Sequence, residues 1–147
     1  MSEQTNEELQ PIEITVDRGR PGEVRTILGN LVNILQPDPD TIDLRDIIWS
    51  LCKQQRYNGH MRTMYNVGMH STIMSYLVPE EYAVEALLHD ASEAYIGDIV
   101  HPFKMLFPEI NGIENQLLGT IMTKFGDDHC RSRVNEKGMY EMSETSA

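Results

Sequence analysis

Along most of this chain apolar residues recur at three- and four-residue intervals, and they alternate with polar ones only near its start. Leu44, Ile47, Ile48 and Leu51 form one such stripe, the spacing that gathers side chains on a single helix face. Asp43 precedes the run and Asp46 falls in its first turn, so the pattern predicts a helix over roughly 44–56 capped by Asp43. Tyr57-Asn58-Gly59-His60 ends it. A second helix is expected over about 66–77. Pro79-Glu80-Glu81 opens a third, since proline suits the first helical turn, with Ala83, Leu87 and Leu88 turned to the core. Ile110, Ile113, Leu117, Ile121 and Phe125 mark a helix over about 109–125. Near the start, residues 11–16 alternate as a short strand does, and Arg18-Gly19-Arg20-Pro21-Gly22 breaks them. A second short strand is expected between Thr26 and Leu35, before the turn Gln36-Pro37-Asp38-Pro39-Asp40.

Residues 1–10 are polar and read as disordered. Asp127-Asp128-His129-Cys130 reads as a loop, and residues 131–147 carry little periodicity. The whole is an all-α helical bundle with a short irregular or β-like N-terminal segment. It divides into residues 1–25, flexible or irregular, and a helical domain over 26–147 whose tail begins near 127.

At 147 residues one domain with its own core is expected. The formal net charge of −11 argues against a nucleic-acid partner, which would require a stripe of Lys and Arg. It leaves room for a small nucleotide, because a metal and one or two local cations can hold a phosphate. The acids are unevenly spread. Between Thr63 and Phe103 there is no Lys or Arg, yet Glu80, Glu81, Glu85, Asp90, Glu93 and Asp98 lie there. Cys52 and Cys130 belong to no Cys-x-x-Cys pair, so reduced thiols in a cytoplasmic protein are expected. No leader or long apolar run is visible, and no membrane partner is expected. Trp49 and the nine methionines read as core filling.

The candidate chemistry is concentrated in residues 86–104. An apolar run there ends in His89-Asp90, Glu93 follows three residues later, and Gly97-Asp98 turns the chain out of the helix before Pro102. Two adjacent ionisable groups after Leu87-Leu88 are costly to bury without a partner. With His70 upstream, the set is imidazole, imidazole and carboxylate, which suits a divalent metal. A lone helical histidine such as His70 is more often a packed residue, so the weight rests on the group. Arg56 is open to two readings, a phosphate clamp with a planar fork or a cation closing a helix C-terminus.

The strings His89-Asp90-Ala91-Ser92-Glu93 and Gly97-Asp98-Ile99-Val100-His101-Pro102-Phe103-Lys104 resemble those of the HD-domain metal-dependent phosphohydrolases. The likeness is to the small bacterial and phage nucleotide phosphohydrolases of 5′-deoxynucleotidase type, and it covers roughly residues 26–126. The resemblance implies one divalent ion (cobalt, manganese, zinc or magnesium) on His70, His89 and Asp90. It implies Glu93 positioning or deprotonating the attacking water and Asp98 near the leaving oxygen. It implies Arg56 as the phosphate clamp, Tyr57 and Pro102 bracketing a sugar or base, and Lys104 reaching a phosphate or merely facing solvent. Homo-oligomers are common in that family. A late aspartate completes the family's metal site, and this chain has no aspartate after Asp128. Glu136, Asp127 or Asp128 are the substitutes within the sequence, and a three-ligand site is the alternative. His60 reads as structural or as a neighbour of the ligands, the role of His101 is open, and His129 reads as a loop histidine.

The expected function is therefore hydrolysis of a nucleotide 5′-phosphate, foremost a deoxynucleoside 5′-monophosphate. Release of triphosphate from a deoxynucleoside triphosphate is the close alternative. A catalytically weakened nucleotide- or metal-binding module is the alternative of another class.

Overall fold

A computed structural model describes residues 19–142. The strand expected over 11–16 and the disorder expected over 1–10 lie outside the described residues. The described chain is mainly helical, with one short two-stranded antiparallel sheet near its start.

That sheet pairs β1 (Glu23–Arg25) with β2 (Leu31–Asn33), Val24 standing opposite Val32. The strand expected within 26–35 is thus only its second half, and its partner is the segment just before it. Residues 26–30 make the turn, where Gly29 takes a φ of +87° that a side chain would resist. Asp46 holds this turn, accepting from the Leu28 amide at 3.1 Å and from Asn30 Nδ2 at 2.8 Å. Expected only as a first-turn acid, Asp46 is buried. The turn expected at 36–40 tightens into a 3₁₀ turn over Pro39–Thr41, capped by Asp38.

Helix α1 (Leu44–Leu51) starts as expected, with the Asp43 carboxylate accepting from the Arg45 amide at 2.8 Å. It stops at Leu51 rather than 56 because the next backbone groups are engaged elsewhere. The Gln54 carbonyl accepts from the Val67 amide at 2.9 Å, and the Arg56 amide donates to the Tyr65 carbonyl at 2.9 Å. Gln55 and Asn66 form an antiparallel bridge between them. Tyr57 and Asn58 then take left-handed φ values of 55° and 53° in a 3₁₀ turn over Arg56–Gly59, a conformation that other contacts must hold.

Helix α2 (Val67–Leu77) is capped by Asn66, whose side chain accepts from the Met69 amide. Helix α3 (Ala83–Leu88) follows a 3₁₀ turn over Glu80–Tyr82. The remaining helices are α4 (Glu93–Ile96), α5 (His101–Lys104), α6 (Glu109–Phe125) and α7 (Asp128–Ser132). Helix α2 packs on α3 and α1 on α4, while α6 supplies buried Leu117, Leu118, Ile121 and Met122. Ile47, Leu51, Val67, Leu88 and Ala91 meet them in the core.

Three sequence expectations are corrected here. Leu44, Ile48 and Leu87 are exposed, because the apolar stripes of α1 and α3 are wider than the faces that pack. Trp49 is exposed under the Lys53 ammonium, and Met61, Met64, Met69, Met105 and Met142 are exposed, whereas Met122 is buried. Residues 127–130 are not a loop. Asp127 caps α7 by accepting from the Cys130 amide at 2.9 Å, and a polar helix with one buried residue leaves no periodic signal. Beyond α7 the chain turns back through a bridge between Val134 and Tyr140, burying Tyr140. Among the described residues no helix is long and apolar enough to cross a membrane.

Candidate functional site

Helices α2 and α3 lie side by side, and their packing brings His70, at the end of the first turn of α2, against His89 and Asp90 just past the end of α3. The His70 and His89 Nε2 atoms are 3.2 Å apart. Asp90 Oδ2 lies 3.3 Å from the first and 3.1 Å from the second. His89 Nδ1 is 2.5 Å from the Ala86 carbonyl, which can only accept, so that nitrogen carries the proton. The lone pair of neutral His89 is then on Nε2. Tyr65 Oη stands 3.4 Å from His70 Nδ1 on the other ring's far side.

The electrostatics of the three groups are uneven. Burial, helped by the Arg56 cation, holds the His70 pKa below the ordinary histidine value. Burial acts on His89 in the same sense, but the hydrogen bond and charge of Asp90 outweigh it and raise the pKa. Burial would also raise Asp90; the bond to His89, then the charges of His89, His70 and Arg56, bring it below the usual carboxylate range.

Around this triad stand groups with incomplete partners. Arg56 Nη1 is 3.5 Å from Asp90 Oδ2, and its Nε is buried without a hydrogen-bond partner. Glu93 is 8% exposed, and its Oε2 likewise has no partner. Burial, reinforced by the charges of Asp90 and Asp98, pushes the Glu93 carboxyl up to about 9. Burial also raises Asp98, with Arg56 and Lys104 opposing.

The other expected site residues are placed less tightly. Lys104 Nζ is bonded to Glu114 Oε2 at 2.8 Å, so its charge is already matched. Tyr57 is half exposed, with the Arg56 guanidinium 5.2 Å from its ring centre. Pro102 is exposed in the first turn of α5. None of the three substitute fourth ligands joins the triad. Asp127 caps α7, Asp128 pairs with Arg131 at 2.7 Å, and Glu136 is exposed. His60 and His101 are exposed. His129, expected in a loop, meets Glu85 Oε2 at 2.8 Å instead.

Sequence reasoning missed Gln54, Ser50, Tyr65 and Glu114. Each is an ordinary polar residue whose importance lies in a contact five to forty-four positions away, outside any motif.

The donor set suits a divalent metal. The three ligand atoms lie within 4.8 Å of one another, and among the described residues they are the group that could hold an ion. Their separations of 3.1, 3.2 and 3.3 Å fall between the ~3.0 Å and ~3.4 Å edges expected for right-angled and tetrahedral ligands at about 2.1 Å from an ion. With His89 neutral, its Nε2 lone pair faces the Asp90 oxygen, an arrangement that a proton or a metal cation between them relieves.

No family model matches this sequence. It is 38% identical over 103 residues to the uncharacterized protein YfdR of Escherichia coli, across 70% of this chain and 58% of that protein. It is 29% identical over 112 residues to an uncharacterized protein of Rhodobacter capsulatus, across 69% and 57% respectively. The chain thus spans less than two thirds of the length of these curated relatives.

Proposed function

We propose that this protein is a divalent-metal-dependent phosphohydrolase of HD-domain type, acting on a nucleotide 5′-phosphate and foremost on a deoxynucleoside 5′-monophosphate. The observation that carries this reading is the His70–His89–Asp90 triangle with Arg56 against it. A divalent ion on those three ligands supplies charge neutralisation for phosphoryl oxygens and acidifies bound water.

The chain's own groups divide the remaining work. Arg56 presents its guanidinium beside Asp90, and its unpartnered Nε leaves a donor for a phosphoryl oxygen. Glu93 accepts the proton of the attacking water. Its pKa of about 9 belongs to the protein without a cation, and a neighbouring divalent charge lowers it. Asp98, whose pKa burial raises against the charges of Arg56 and Lys104, is the group assigned to the leaving 5′-oxygen as general acid. Lys104, matched by Glu114, is left a secondary contact at most.

A three-ligand triad favours one second reading, a catalytically weakened module that binds metal or nucleotide without turnover. Phosphate release from a panel of deoxynucleoside mono- and triphosphates, with divalent metal added back, separates the two. Inorganic phosphate from monophosphates supports the leading reading. Intact triphosphate from triphosphates alone moves the substrate, and binding without release supports the module.

A further inference from the structure

The turn that carries Glu93 and Asp98 is held at both ends by one side chain that belongs to neither helix of the triad. Gln54 Nε2 donates to the Glu93 carbonyl at 2.8 Å and to Ser50 Oγ at 2.9 Å. Gln54 Oε1 accepts from the Asp98 amide at 3.0 Å. Within that span the Gly97 amide donates back to the Glu93 carbonyl at 2.8 Å, and Gly97 has a φ of +97°. Glu93 and Asp98 therefore leave the turn in directions set by a backbone that Gln54 grips.

Gln54 is also tied to the other half of the site. Its own carbonyl accepts from the Val67 amide at the start of α2, the helix that carries His70. Arg56 follows two residues later, fixed through its amide to Tyr65. We infer that Gln54 is a positioning residue, whose carboxamide holds the Glu93–Asp98 turn in register with Arg56 and His70. The inference rests on the phosphohydrolase reading for its reaction, and on the hydrogen bonds alone for its geometry.

The chemistry explains the residue type. A carboxamide offers a donor and an acceptor side by side, the complement of a peptide carbonyl and amide. Asparagine is one carbon too short for the same span. A glutamate carboxylate accepts only, so it meets the Glu93 carbonyl as a like dipole. A protonated glutamate regains the donor. Gln54 meets Glu93 and Asp98 through their backbone carbonyl and amide, and Asp46, Arg25 and Lys53 line the cavity beside it. The Ser50 hydroxyl donates to the Ala94 carbonyl at 2.9 Å without help from Gln54, so α4 stays docked when Gln54 is changed.

The test uses wild type, Gln54→Ala and Gln54→Glu, with manganese and deoxynucleoside monophosphates, and amide hydrogen exchange on the metal-free proteins. Gln54→Ala is expected to keep bound metal and KM within about twofold and to lose on the order of tenfold in kcat, the scale of two neutral hydrogen bonds. Its Asp98 amide is expected to lose exchange protection. Relative to wild type at each pH, Gln54→Glu is expected to regain kcat as pH falls and its carboxyl takes a proton, while Gln54→Ala shows no such trend. Unchanged protection at Asp98, an unchanged kcat in Gln54→Ala, or identical pH trends in both variants would overturn the positioning role and leave the hydrolase reading intact. A wild-type protein that releases no phosphate with any metal overturns the hydrolase reading, and the positioning role falls with it.

Discussion

Helix α3 has a carboxylate near each end, Glu85 buried in its first turn and Asp90 half-buried just past its last, and the two are treated in opposite ways. At its start Glu85 is almost fully buried, yet it is well supplied. Tyr140 donates its hydroxyl to one oxygen, and His129 meets the other at 2.8 Å while resting edge-on against Tyr82. Just past its end, Asp90 faces two imidazole nitrogens and a guanidinium, with an unpartnered Glu93 oxygen and an unpartnered Arg56 nitrogen in the same region. Both regions pair an acid with histidine. The first closes on itself and pins the C-terminal segment to α3. The second leaves an Arg56 nitrogen and a Glu93 oxygen without partners. Burial of a charge does not by itself mark a functional site; several convergent groups left unsatisfied are what call for an explanation.

The largest effect should follow from breaking the open region at its ligands. Asp90→Ala or His89→Ala is expected to abolish both metal retention and phosphate release, measured by metal analysis and a phosphate assay. Glu93→Gln comes next. It is expected to lose about 10²–10⁴-fold in kcat while still binding metal, the usual scale for a positioned acid–base group. The same change should stabilise the metal-free protein. Glu93 keeps its proton to about pH 9 when folded and releases it near 4.5 when unfolded, so folding stability falls as pH rises between those values. The melting temperature of Glu93→Gln should therefore exceed that of wild type by a margin that grows from pH 5 to pH 8. A margin that is constant or shrinks would place Glu93 in a solvated environment.

Arg56→Ala is expected to lower kcat/KM by more than tenfold, because a charge-assisted contact is worth roughly 1.5–3 kcal/mol. Arg56→Lys should recover part of that, and neither change should alter metal content. Normal turnover together with a lower melting temperature would make Arg56 a structural cation. The closed region should answer differently. Glu85→Ala leaves the Tyr140 hydroxyl and His129 without their acceptor, at a cost of about 1–3 kcal/mol in stability. Metal affinity should stay within about twofold, as calorimetry would report. A Glu85 variant that loses metal while still folded would erase the distinction between the two regions. The smallest effect is at the entry to the bundle, where Asp43→Ala should lower the melting temperature slightly by removing the cap of α1.

What the sequence made legible follows from how local each signal is. The spans of α2 and α6, the caps at Asp43 and the near adjacency of His89, Asp90 and Glu93 are short-range patterns, and they are present in the fold. The early end of α1 was not legible, because residues 54–56 are taken by hydrogen bonds from residues 65–67 across the intervening turn. Nor was α7, whose only buried side chain is Cys130. At the site, the residue types pointed to His70, His89 and Asp90, but their meeting at 3.1–3.3 Å depends on the packing of α2 against α3. The pairing of Lys104 with Glu114 and the grip of Gln54 on the Asp98 amide are tertiary contacts between unremarkable residues, invisible to any spacing rule.

The most direct test of the account is one experiment on the metal-stripped wild-type protein. Inorganic phosphate release from deoxynucleoside 5′-monophosphates is followed before and after titration with manganese, cobalt, zinc or magnesium. The account expects no release from the stripped protein, and release that rises with at least one of these ions and saturates near one ion per chain. A protein that binds none of them, or that hydrolyses the substrates equally well without any, would contradict it.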